Sequence, residues 1–447
     1  MTDHPELNQF LDFLRFSSIS TDSAHKHQVL ACAEWVRAKL AAIGLEASQH
    51  ETPGHPIVIG RGPFKKGRPT VLIYGHYDVQ PVDPLELWHR PPFNPGIENG
   101  IVTARGASDN KGQIFAHILG VERTLKEKGD LPVNLILLVE GEEEIGSPNL
   151  APFLRAHRAE LACDVVAISD SAMIAPNHPT FTYGLRGLAA VEVTVTGPDR
   201  DLHSGVFGGA VENPATVLAR LIAGLHDKNL KVTVDGFYKD VKALQSWERK
   251  AWKNLPLNER TLMKMTGASA LRGEKGFTAL ERIWARPTAE VNGIGSGYQG
   301  EGTKTVLPST AMAKFTFRLV PDQDPRKIIK IAQDYFKKNA PPSVKIKVTP
   351  GHNGEPYLVD PNAGFGAAAQ KALSRLFPGR KPALIREGGT IPIVAGFKHI
   401  LKADTLLLGL CLPDCNAHSP NETFPLAHLE LGANLNRYLL EEIAAAK

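Results

Sequence analysis

Hydrophobic residues in the first part of this chain recur in a pattern typical of a buried parallel sheet. Unbroken apolar runs at 70–74, 133–139 and 164–169 alternate with segments at 25–43 and 113–127, where apolar residues fall at helical spacing. Continuous apolar strands that alternate with helices indicate a mostly parallel sheet covered by helices on both faces. The pattern therefore predicts an α/β domain whose functional residues lie at the carboxyl ends of its strands.

From residue 187 the pattern changes to alternation of apolar and polar residues. Residues 189–195 alternate with period two, which predicts a sheet with one face in water. The pair Asn213-Pro214 predicts the start of a helix, because asparagine caps helices and proline suits their first position. Strands are predicted at 312–320 and 344–349, with a helix between them at 325–338. These elements predict a second, α+β domain.

The pattern of the first domain returns near the carboxyl terminus. Helices are predicted at 362–376 and 423–445, on either side of an apolar strand at 405–408. A chain of 447 residues also exceeds the ~250–300 residues at which a single core stops growing. We therefore predict that the α+β domain interrupts the α/β domain, which gives three segments: 1–186, 187–350 and 351–447. The charged stretch 228–285, with three of the five tryptophans, is predicted to be a largely helical insertion.

Composition and charge narrow the functional classes. The 51 basic and 47 acidic residues are scattered along the chain, which predicts no nucleic-acid partner. Residues 1–16 have the spacing of a helix instead of a signal peptide, and no apolar run approaches the ~18–20 residues that cross a bilayer. We therefore expect a cytoplasmic protein without a membrane partner. Four cysteines are too few for a disulfide framework, and Cys411 and Cys415, near His418, are interpreted as free thiols in preference to metal ligands.

Histidine and acidic residues follow four of the predicted apolar strands. They are His76 and Asp78 after 70–74, Glu142, Glu143 and Glu144 after 133–139, Asp170 after 164–169, and His418 after 405–408. Asp109 lies in a glycine-flanked loop before the helix at 113–127. Each residue alone is compatible with an ordinary strand end, helix entry or solvated turn. Their repetition at one edge of a parallel sheet favours a hydrolase site that holds two metal ions.

Two details of this set bear on the chemistry. Asp78, two residues after His76, is suited to accept the second ring N–H of that histidine and so to fix its orientation. Consecutive glutamates at the end of a buried strand repel one another and favour a nearby cation. A two-metal hydrolase also needs one acid that stays free of metal and acts as a base.

One glycine-rich motif resembles a nucleotide-binding sequence but lacks the helix that should follow it. Residues 295–300 match G-x-G-x-x-G, but 303–308 look extended and end in proline, so no helix N-terminus is available for a pyrophosphate. The sequence contains no P-loop, nucleophile-elbow serine or H-E-x-x-H motif. We therefore predict no nucleotide site.

Together these motifs resemble the M20 family of metallopeptidases, most closely its cytosolic nonspecific dipeptidase and carnosinase branch. The resemblance covers nearly the whole chain. It rests on ordered motifs at 75–79, 106–112, 140–147, 168–170, 201–205, 317–321, 386–392 and 417–421.

The resemblance implies a catalytic α/β domain, interrupted by a lid that also forms a homodimer, with two zinc or manganese ions. His76 and Asp170 would bind one ion, Glu144 and His418 the other, and Asp109 would bridge both. Asp78 would orient His76, and the Asp109–Asn110 peptide would be cis. Glu143 would be the general base that activates a hydroxide shared by the ions.

The family pattern also implies roles for residues of the lid. His203 would enter the partner subunit's site and stabilise the oxyanion, although by itself it resembles an ordinary loop histidine. Arg318, by itself compatible with a solvated cation on a strand face, would bind the terminal carboxylate of the substrate. Thr305 and Thr390 would line the substrate pocket, with Thr390 standing where close relatives have serine.

The sequence thus predicts a two-metal exopeptidase that hydrolyses dipeptides with a free C-terminal carboxylate. Two alternatives stay open. An N-acyl-amino-acid amidohydrolase would need the same metals, base and carboxylate site. A catalytically silent metal-binding dimer is disfavoured by the retention of Glu143 beside Glu144.

Overall fold

The computed structural model describes residues 5–446, and the chain divides into two compact units. Unit 1 comprises the described part of Met1–Tyr183 together with Val359–Ile385 and Ile393–Lys447. Unit 2 comprises Gly184–Leu358 and Arg386–Pro392. The domain boundaries at 186/187 and 350/351 stay a prediction, and unit 2 differs from them by including the short segment Arg386–Pro392.

Residues 5–446 fold into helices and strands that are numbered in chain order. The helices are α1 (Pro5–Leu14), α2 (Lys26–Ala42), α3 (Lys111–Lys128), α4 (Leu150–Ala156), α5 (Ser204–Phe207), α6 (Pro214–Ala223), α7 (Ser246–Lys253), α8 (Glu259–Thr266), α9 (Ala279–Ala285), α10 (Pro325–Asn339), α11 (Gly364–Leu376), α12 (Pro392–Gly396) and α13 (Ala427–Ala445). The strands are β1 (Glu46–His50), β2 (Ile57–Arg61), β3 (Thr70–His76), β4 (Gly96–Glu98), β5 (Ile101–Thr103), β6 (Asn134–Glu140), β7 (Val165–Ile168), β8 (Thr180–Leu185), β9 (Gly187–Thr196), β10 (Leu202–His203), β11 (Thr288–Ser296), β12 (Val306–Leu307), β13 (Thr310–Leu319), β14 (Lys345–Gly354), β15 (Tyr357–Leu358), β16 (Ala383–Glu387), β17 (Asp404–Leu408) and β18 (Thr423–Pro425).

The largest sheet has nine strands in the order β1-β2-β6-β3-β7-β17-β8-β15, and β16 pairs with β8. The middle strands β6, β3, β7 and β17 run parallel, whereas the pairs β1–β2, β2–β6 and β17–β8 are antiparallel. Every residue of β6 and β7 is buried, as expected for strands covered on both faces. The predicted α/β class is confirmed, with a parallel centre and antiparallel edges.

The register of the parallel strands aligns their carboxyl ends. His76, the last residue of β3, lies opposite Glu140, the last residue of β6. Ile168, the last residue of β7, lies opposite Tyr74 of β3 and Leu407 of β17. The segments that follow all four strands therefore leave the sheet at one edge, where α/β proteins place their functional side chains.

Helix α3 starts directly after the loop that contains Asp109. It is buried along most of its length and packs against α13. The two helices approach closely at Gly120, where an added Cβ would lie only 2.6 Å from the carbonyl oxygen of Ala433. This packing fixes the position of α3, and with it the Asp109 loop, within unit 1.

Unit 2 contains an antiparallel sheet in the order β11-β13-β9-β14. Its core face carries alternate residues such as Val191, Val193 and Val195, against which α6 and α10 pack. The side chain of Asn213 accepts a hydrogen bond from the backbone N–H of Ala215, which confirms the predicted start of α6.

Two sequence-based predictions about elements are wrong. The stretch 228–285 is not largely helical, because the short helices α7, α8 and α9 cover less than half of it. The last helix does not begin at residue 423, because Thr423–Pro425 forms β18 and pairs with β5 before α13 begins. In both cases loops and pairing partners far along the chain prevail over local helical spacing.

Two further predictions concern the first helix and the membrane. The first helix is present from Pro5 to Leu14, and residues 1–4, like residue 447, lie outside the described residues. Within residues 5–446, the structure has no helix with both the length and the apolar character needed to cross a membrane.

Candidate metal centre

Two groups of potential metal ligands lie at the carboxyl edge of the parallel strands. The first contains His76, Asp109 and Asp170, and the second contains Asp109, Glu144 and His418. Within each group, one ligand atom from each residue lies within 4.8 Å of the others. Asp109 belongs to both groups, so five residues spread over 343 positions of the sequence meet around one carboxylate.

The first group is formed around the buried ring of His76. Its Nε2 lies 3.2 Å from Asp109 Oδ1 and 3.5 Å from Asp170 Oδ2. This nitrogen is buried and, among residues 5–446, lacks a partner in hydrogen-bonding geometry. A buried imidazole nitrogen beside two carboxylate oxygens is the donor set expected for a divalent cation.

Asp78 supports this ring from the other side. His76 Nδ1 lies 3.1 Å from the Asp78 carbonyl oxygen and 3.3 Å from its carboxylate. The same carboxylate accepts the backbone N–H groups of Glu143 at 3.2 Å and Glu144 at 3.1 Å. A single buried aspartate therefore orients the histidine and holds the turn that carries both glutamates.

The second group lies on the other carboxylate oxygen of Asp109. His418 Nε2 is 2.8 Å from Asp109 Oδ2 and 3.3 Å from Glu144 Oε2. Glu144 Oε1 is buried without a hydrogen-bond partner in the described part of the chain. His418 adopts a left-handed backbone conformation, with φ at 61°, which is uncommon for a residue other than glycine and which is found at functional sites.

The electrostatics of both groups fit a bound cation. Burial alone would lower the pKa of His76, but Asp109, Asp170 and Asp78 raise that pKa well above its ordinary value. Asp109 and Glu144 raise the pKa of His418 to about 10. Without a cation both imidazoles hold a proton that offsets the surrounding carboxylates, and a metal ion would take the place of those protons.

Glu143 lies beside both groups but belongs to neither. It begins a single 3₁₀ turn, Glu143–Ile145, directly after the end of β6. Burial, together with the charges of Asp170, Asp109 and Glu144, raises the pKa of its carboxyl group well above its ordinary value. A carboxylate with raised proton affinity that is not needed as a ligand is suited to proton transfer.

Sequence reasoning missed the buried ion pair that shapes the Asp109 loop. Glu422 Oε2 lies 2.9 Å from Arg105 Nη1, and both side chains are buried. The Glu422 carboxylate also accepts the backbone N–H groups of Gly106, Ser108 and Asp109 at 2.7–2.9 Å. Both residues stand next to recognised motifs, but nothing local in the sequence shows that they meet across 317 positions.

Two other contacts were not predicted. Gln80 Nε2 donates to Glu144 Oε2 at 2.8 Å and so positions that carboxylate. Asn110 Oδ1 accepts the backbone N–H of His76 at 3.3 Å, which joins the Asp109 loop to the end of β3. The Asp109–Asn110 peptide is cis, as the resemblance implied.

The remaining predicted site residues lie in unit 2 and form two pairs. His203 ends β10, where its exposed ring accepts the backbone N–H of Gly205 at 3.0 Å, and the carbonyl of Thr305 accepts the N–H of the next residue, Ser204. Arg318 lies on β13, and its Nη1 donates to Thr390 Oγ1 at 3.3 Å.

The cysteines take no part in these groups. Cys411 and Cys415 are free thiols, as predicted, and Cys411 Sγ donates to the carbonyl oxygen of Ser171 at 3.2 Å. Neither belongs to a group of potential metal ligands among residues 5–446.

Comparisons with known proteins agree with this geometry. Residues 72–442 match the family model described as peptidase family M20/M25/M40. The chain is similar to the Cys-Gly metallodipeptidase dug1 of Schizosaccharomyces pombe, with 32% identity across 96% of this chain and 93% of that protein. It is also similar to the human Beta-Ala-His dipeptidase, with 30% identity across 86% of this chain and 78% of that protein. Among solved structures, the M20 family metallo-carboxypeptidase Sso-CP2 from Sulfolobus solfataricus has a TM-score of 0.87 and 32% identity, covering 99% of this chain and 100% of that one.

Proposed function

Because the chain belongs to peptidase family M20/M25/M40, we propose that it is a two-metal dipeptidase that acts on dipeptides with a free C-terminal carboxylate. The resemblance inferred from the motifs is confirmed, and so is the prediction of a metallopeptidase. The observation that supports a two-metal site is the pair of ligand groups that share Asp109.

In this proposal, His76 and Asp170 bind one divalent cation, Glu144 and His418 bind the other, and Asp109 bridges the two. The proposal is supported by the mutual distances of these side chains and by the buried, unpartnered His76 Nε2 and Glu144 Oε1. Mixed imidazole and carboxylate ligands suit zinc or manganese.

When bound, the cations supply Lewis-acid chemistry: they lower the pKa of water and polarise the scissile carbonyl group. Glu143 accepts the proton of the attacking water and returns it to the leaving amine. Its burial and raised pKa support this role, since a carboxylate with a raised proton affinity accepts a proton more readily than an ordinary one. Asp78 keeps His76 oriented through Nδ1 and holds the Glu143 turn through its backbone N–H.

In unit 2, Arg318 binds the substrate's terminal carboxylate, and Thr305 and Thr390 line the substrate pocket. This is supported by the position of Arg318, which among residues 5–446 has no carboxylate within 4 Å of its guanidinium. We further propose a homodimer in which His203 acts as an oxyanion donor in the partner's site, a role that the exposure of its ring would permit.

We also propose a cytoplasmic location without nucleic-acid or membrane partners. The proposal is supported by four free cysteines, which are typical of a reducing compartment.

A substrate screen tests the proposed function. The protein would be depleted of metal, reloaded with zinc or manganese, and assayed on Cys-Gly, β-Ala-His, other dipeptides, their C-terminal amides and N-acetyl amino acids. We expect metal-dependent hydrolysis of free dipeptides above all other classes. Preference for N-acetyl amino acids would instead favour the amidohydrolase, and metal binding without any turnover would favour the silent dimer.

A further inference from the structure

A strongly basic cavity of about 470 Å³ lies within unit 2. Five arginines line it, namely Arg186, Arg272, Arg282, Arg286 and Arg318, against only two glutamates. A partly enclosed cavity with such an excess of one charge attracts an anion.

The two glutamates leave part of this charge without a partner. Glu274 binds Arg286 through both carboxylate oxygens at 2.7 Å, and its carbonyl oxygen accepts from Arg282 Nε at 3.0 Å. Among residues 5–446, no carboxylate lies within 4 Å of the guanidinium of Arg186 or of Arg318. Arg272, which is exposed, and Arg282, whose Nε donates to a backbone carbonyl oxygen, also lack a carboxylate at that distance within these residues. Arg186 and Arg318 are partly buried, so an unpaired charge is less favourable there than at Arg272.

Thr390 links the side chain of Arg318 to the backbone of Arg186. The Thr390 hydroxyl donates to the carbonyl oxygen of Arg186 at 2.6 Å and accepts from Arg318 Nη1 at 3.3 Å. Arg186 Nε donates to the carbonyl oxygen of Gly388 at 3.3 Å, and that is the side chain's one hydrogen bond within the described chain. Both terminal nitrogens of Arg186 keep their donors free.

The proximity of two such cations costs free energy. Burial, followed by the charge of Arg318, lowers the pKa of Arg186 to about 10, so the guanidinium is still charged at neutral pH but is disfavoured by its surroundings. A half-buried, unpaired charge beside a like charge is poor for stability and needs an anion to offset it. Planar guanidinium groups bind the two oxygens of a carboxylate with matching geometry.

We propose that Arg186 is a second substrate-binding residue, which together with Arg318 binds the α-carboxylate of the substrate. The inference rests on the proposed function, in which Arg318 alone had this role, and it extends the anion site to two guanidinium groups that line the same cavity. With two arginines in contact with it, the terminal carboxylate of the substrate contributes more to binding than it would with Arg318 alone.

Steady-state kinetics of Arg186→Met and Arg186→Lys test the proposal. Each variant of the metal-loaded protein would be assayed on a dipeptide and on its C-terminal amide, with Arg326→Met as the matched control, because Arg326 is exposed in the same unit. For Arg186→Met we expect kcat/KM on the free dipeptide to fall about 10- to 100-fold, mostly through KM, and to change less than about twofold on the amide. Arg186→Lys should recover part of the loss, and Arg326→Met should behave like the parent.

Thermal unfolding separates this role from a structural one. Because Arg186 repels Arg318, Arg186→Met should leave Tm unchanged or raise it, whereas a structural strut would lower it. Equal losses on the dipeptide and the amide, or a marked fall in Tm, would overturn the proposal. A loss confined to dipeptides with an acidic C-terminal side chain would overturn it too, since Arg186 would then bind a different carboxylate.

The proposal can fail or survive independently of the dipeptidase assignment. If the parent hydrolyses N-acetyl amino acids and not dipeptides, the same comparison is made with an N-acetyl amino acid and its amide. If it hydrolyses neither, calorimetry measures binding of the free dipeptide and its amide to the parent and to Arg186→Met. Equal affinities in that titration, or no binding to the parent, would refute the two-arginine site.

Discussion

The metal centre of unit 1 and the arginine cavity of unit 2 carry opposite charge, but each holds an excess of one charge in a partly buried place. Around Asp109, carboxylates outnumber the two imidazoles, whereas the guanidinium groups of Arg186 and Arg318 line the cavity of unit 2 with no carboxylate within 4 Å of them among residues 5–446. Both sites are partly buried, so neither charge excess is fully offset by water. We therefore propose that a ligand of opposite charge completes each arrangement.

Two pairs of buried charges elsewhere in unit 1 are matched within the protein. Lys39 lies 2.5 Å from Glu122, and Arg105 lies 2.9 Å from Glu422. The difference separates two uses of buried charge: a paired group stabilises the fold, and an unpaired cluster marks a place where something binds. Five predictions test this comparison.

The largest effect is expected from the residue on which the metal centre depends. Asp109→Asn removes a charge that both ligand groups share, so we expect loss of both metal ions and a fall in kcat/KM on the order of 10⁴-fold or more. Metal content by mass spectrometry and hydrolysis rates measure this. Asp199→Asn, at an exposed position, is the control, and retention of two ions by Asp109→Asn would contradict the bridging role.

A smaller loss should follow when the proposed base is neutralised without touching the ligands. Glu143→Gln should keep the metal content of the parent but reduce kcat about a thousandfold, because a positioned base contributes on that scale. The exposed Glu86→Gln variant serves as the comparison. Activity close to that of the parent would remove Glu143 from the mechanism.

The cationic site should respond to the substrate's charge instead of the metal. Arg318→Ala should lower kcat/KM for a free dipeptide by about 10- to 100-fold and have little effect on the C-terminal amide. Lys314→Ala, on the same strand but exposed, should change neither rate. An equal loss on both substrates would mean that Arg318 does not bind the carboxylate.

The paired charges should behave differently from the unpaired ones. Glu422→Gln leaves buried Arg105 without a counter-charge and loosens the Asp109 loop, so we expect a lower Tm and metal affinity weakened by about 10- to 100-fold. The double variant Arg105→Met with Glu422→Gln removes both charges and should recover much of the lost Tm. No recovery would indicate that Glu422 acts through its backbone hydrogen bonds alone.

The smallest effect concerns a buried histidine that binds no metal in our proposal. His117 Nε2 lies 2.8 Å from Ser169 Oγ, and Asn436 Nδ2 lies 3.1 Å from His117 Nδ1. Burial lowers the pKa of His117 from 6.5 to about 4. As the pH falls from 6.5 to 4, the unfolded chain takes up a proton at His117 before the folded chain does. The contribution of His117 to the free energy of unfolding is therefore fully present above pH 6.5 and is lost as the pH falls towards 4.

This contribution is at most about 3 kcal/mol at the acid end of that range. Denaturant unfolding of His117→Gln between pH 6.5 and 4 should therefore show a shallower loss of stability than the parent shows. His27→Gln, at an exposed position, should follow the parent. Parallel curves for the parent and His117→Gln would show that His117 does not titrate in this way.

Much of the architecture could be predicted from local patterns. The apolar runs of β3, β6, β7 and β17 predicted buried strands, and the general placement of function at the carboxyl ends of parallel strands singled out His76, Asp170 and His418. Period-two alternation likewise predicted β9 and its one-sided core.

What escaped prediction depends on partners far apart in the sequence. Thr423–Pro425 follows helical spacing but pairs with β5, and stretch 228–285 folds into short helices separated by loops. Glu422 and Arg105 have no local pattern that joins them, and Arg186 lies just before the change of pattern at residue 187 with no chemistry predicted for it. Their contacts arise only when segments hundreds of residues apart are brought together.

The sequence by itself determined the secondary structure of the central parallel strands and of β9, the edge of the sheet where chemistry is expected, and the family, because periodicity and motifs are local properties of a chain. Tertiary structure alone decided that five separated ligand residues meet around Asp109 and that Arg186 and Arg318 share Thr390. The reason is physical: an unpaired buried charge is defined by what surrounds it in space, and those surroundings come from strand register and helix packing, not from neighbours in the chain.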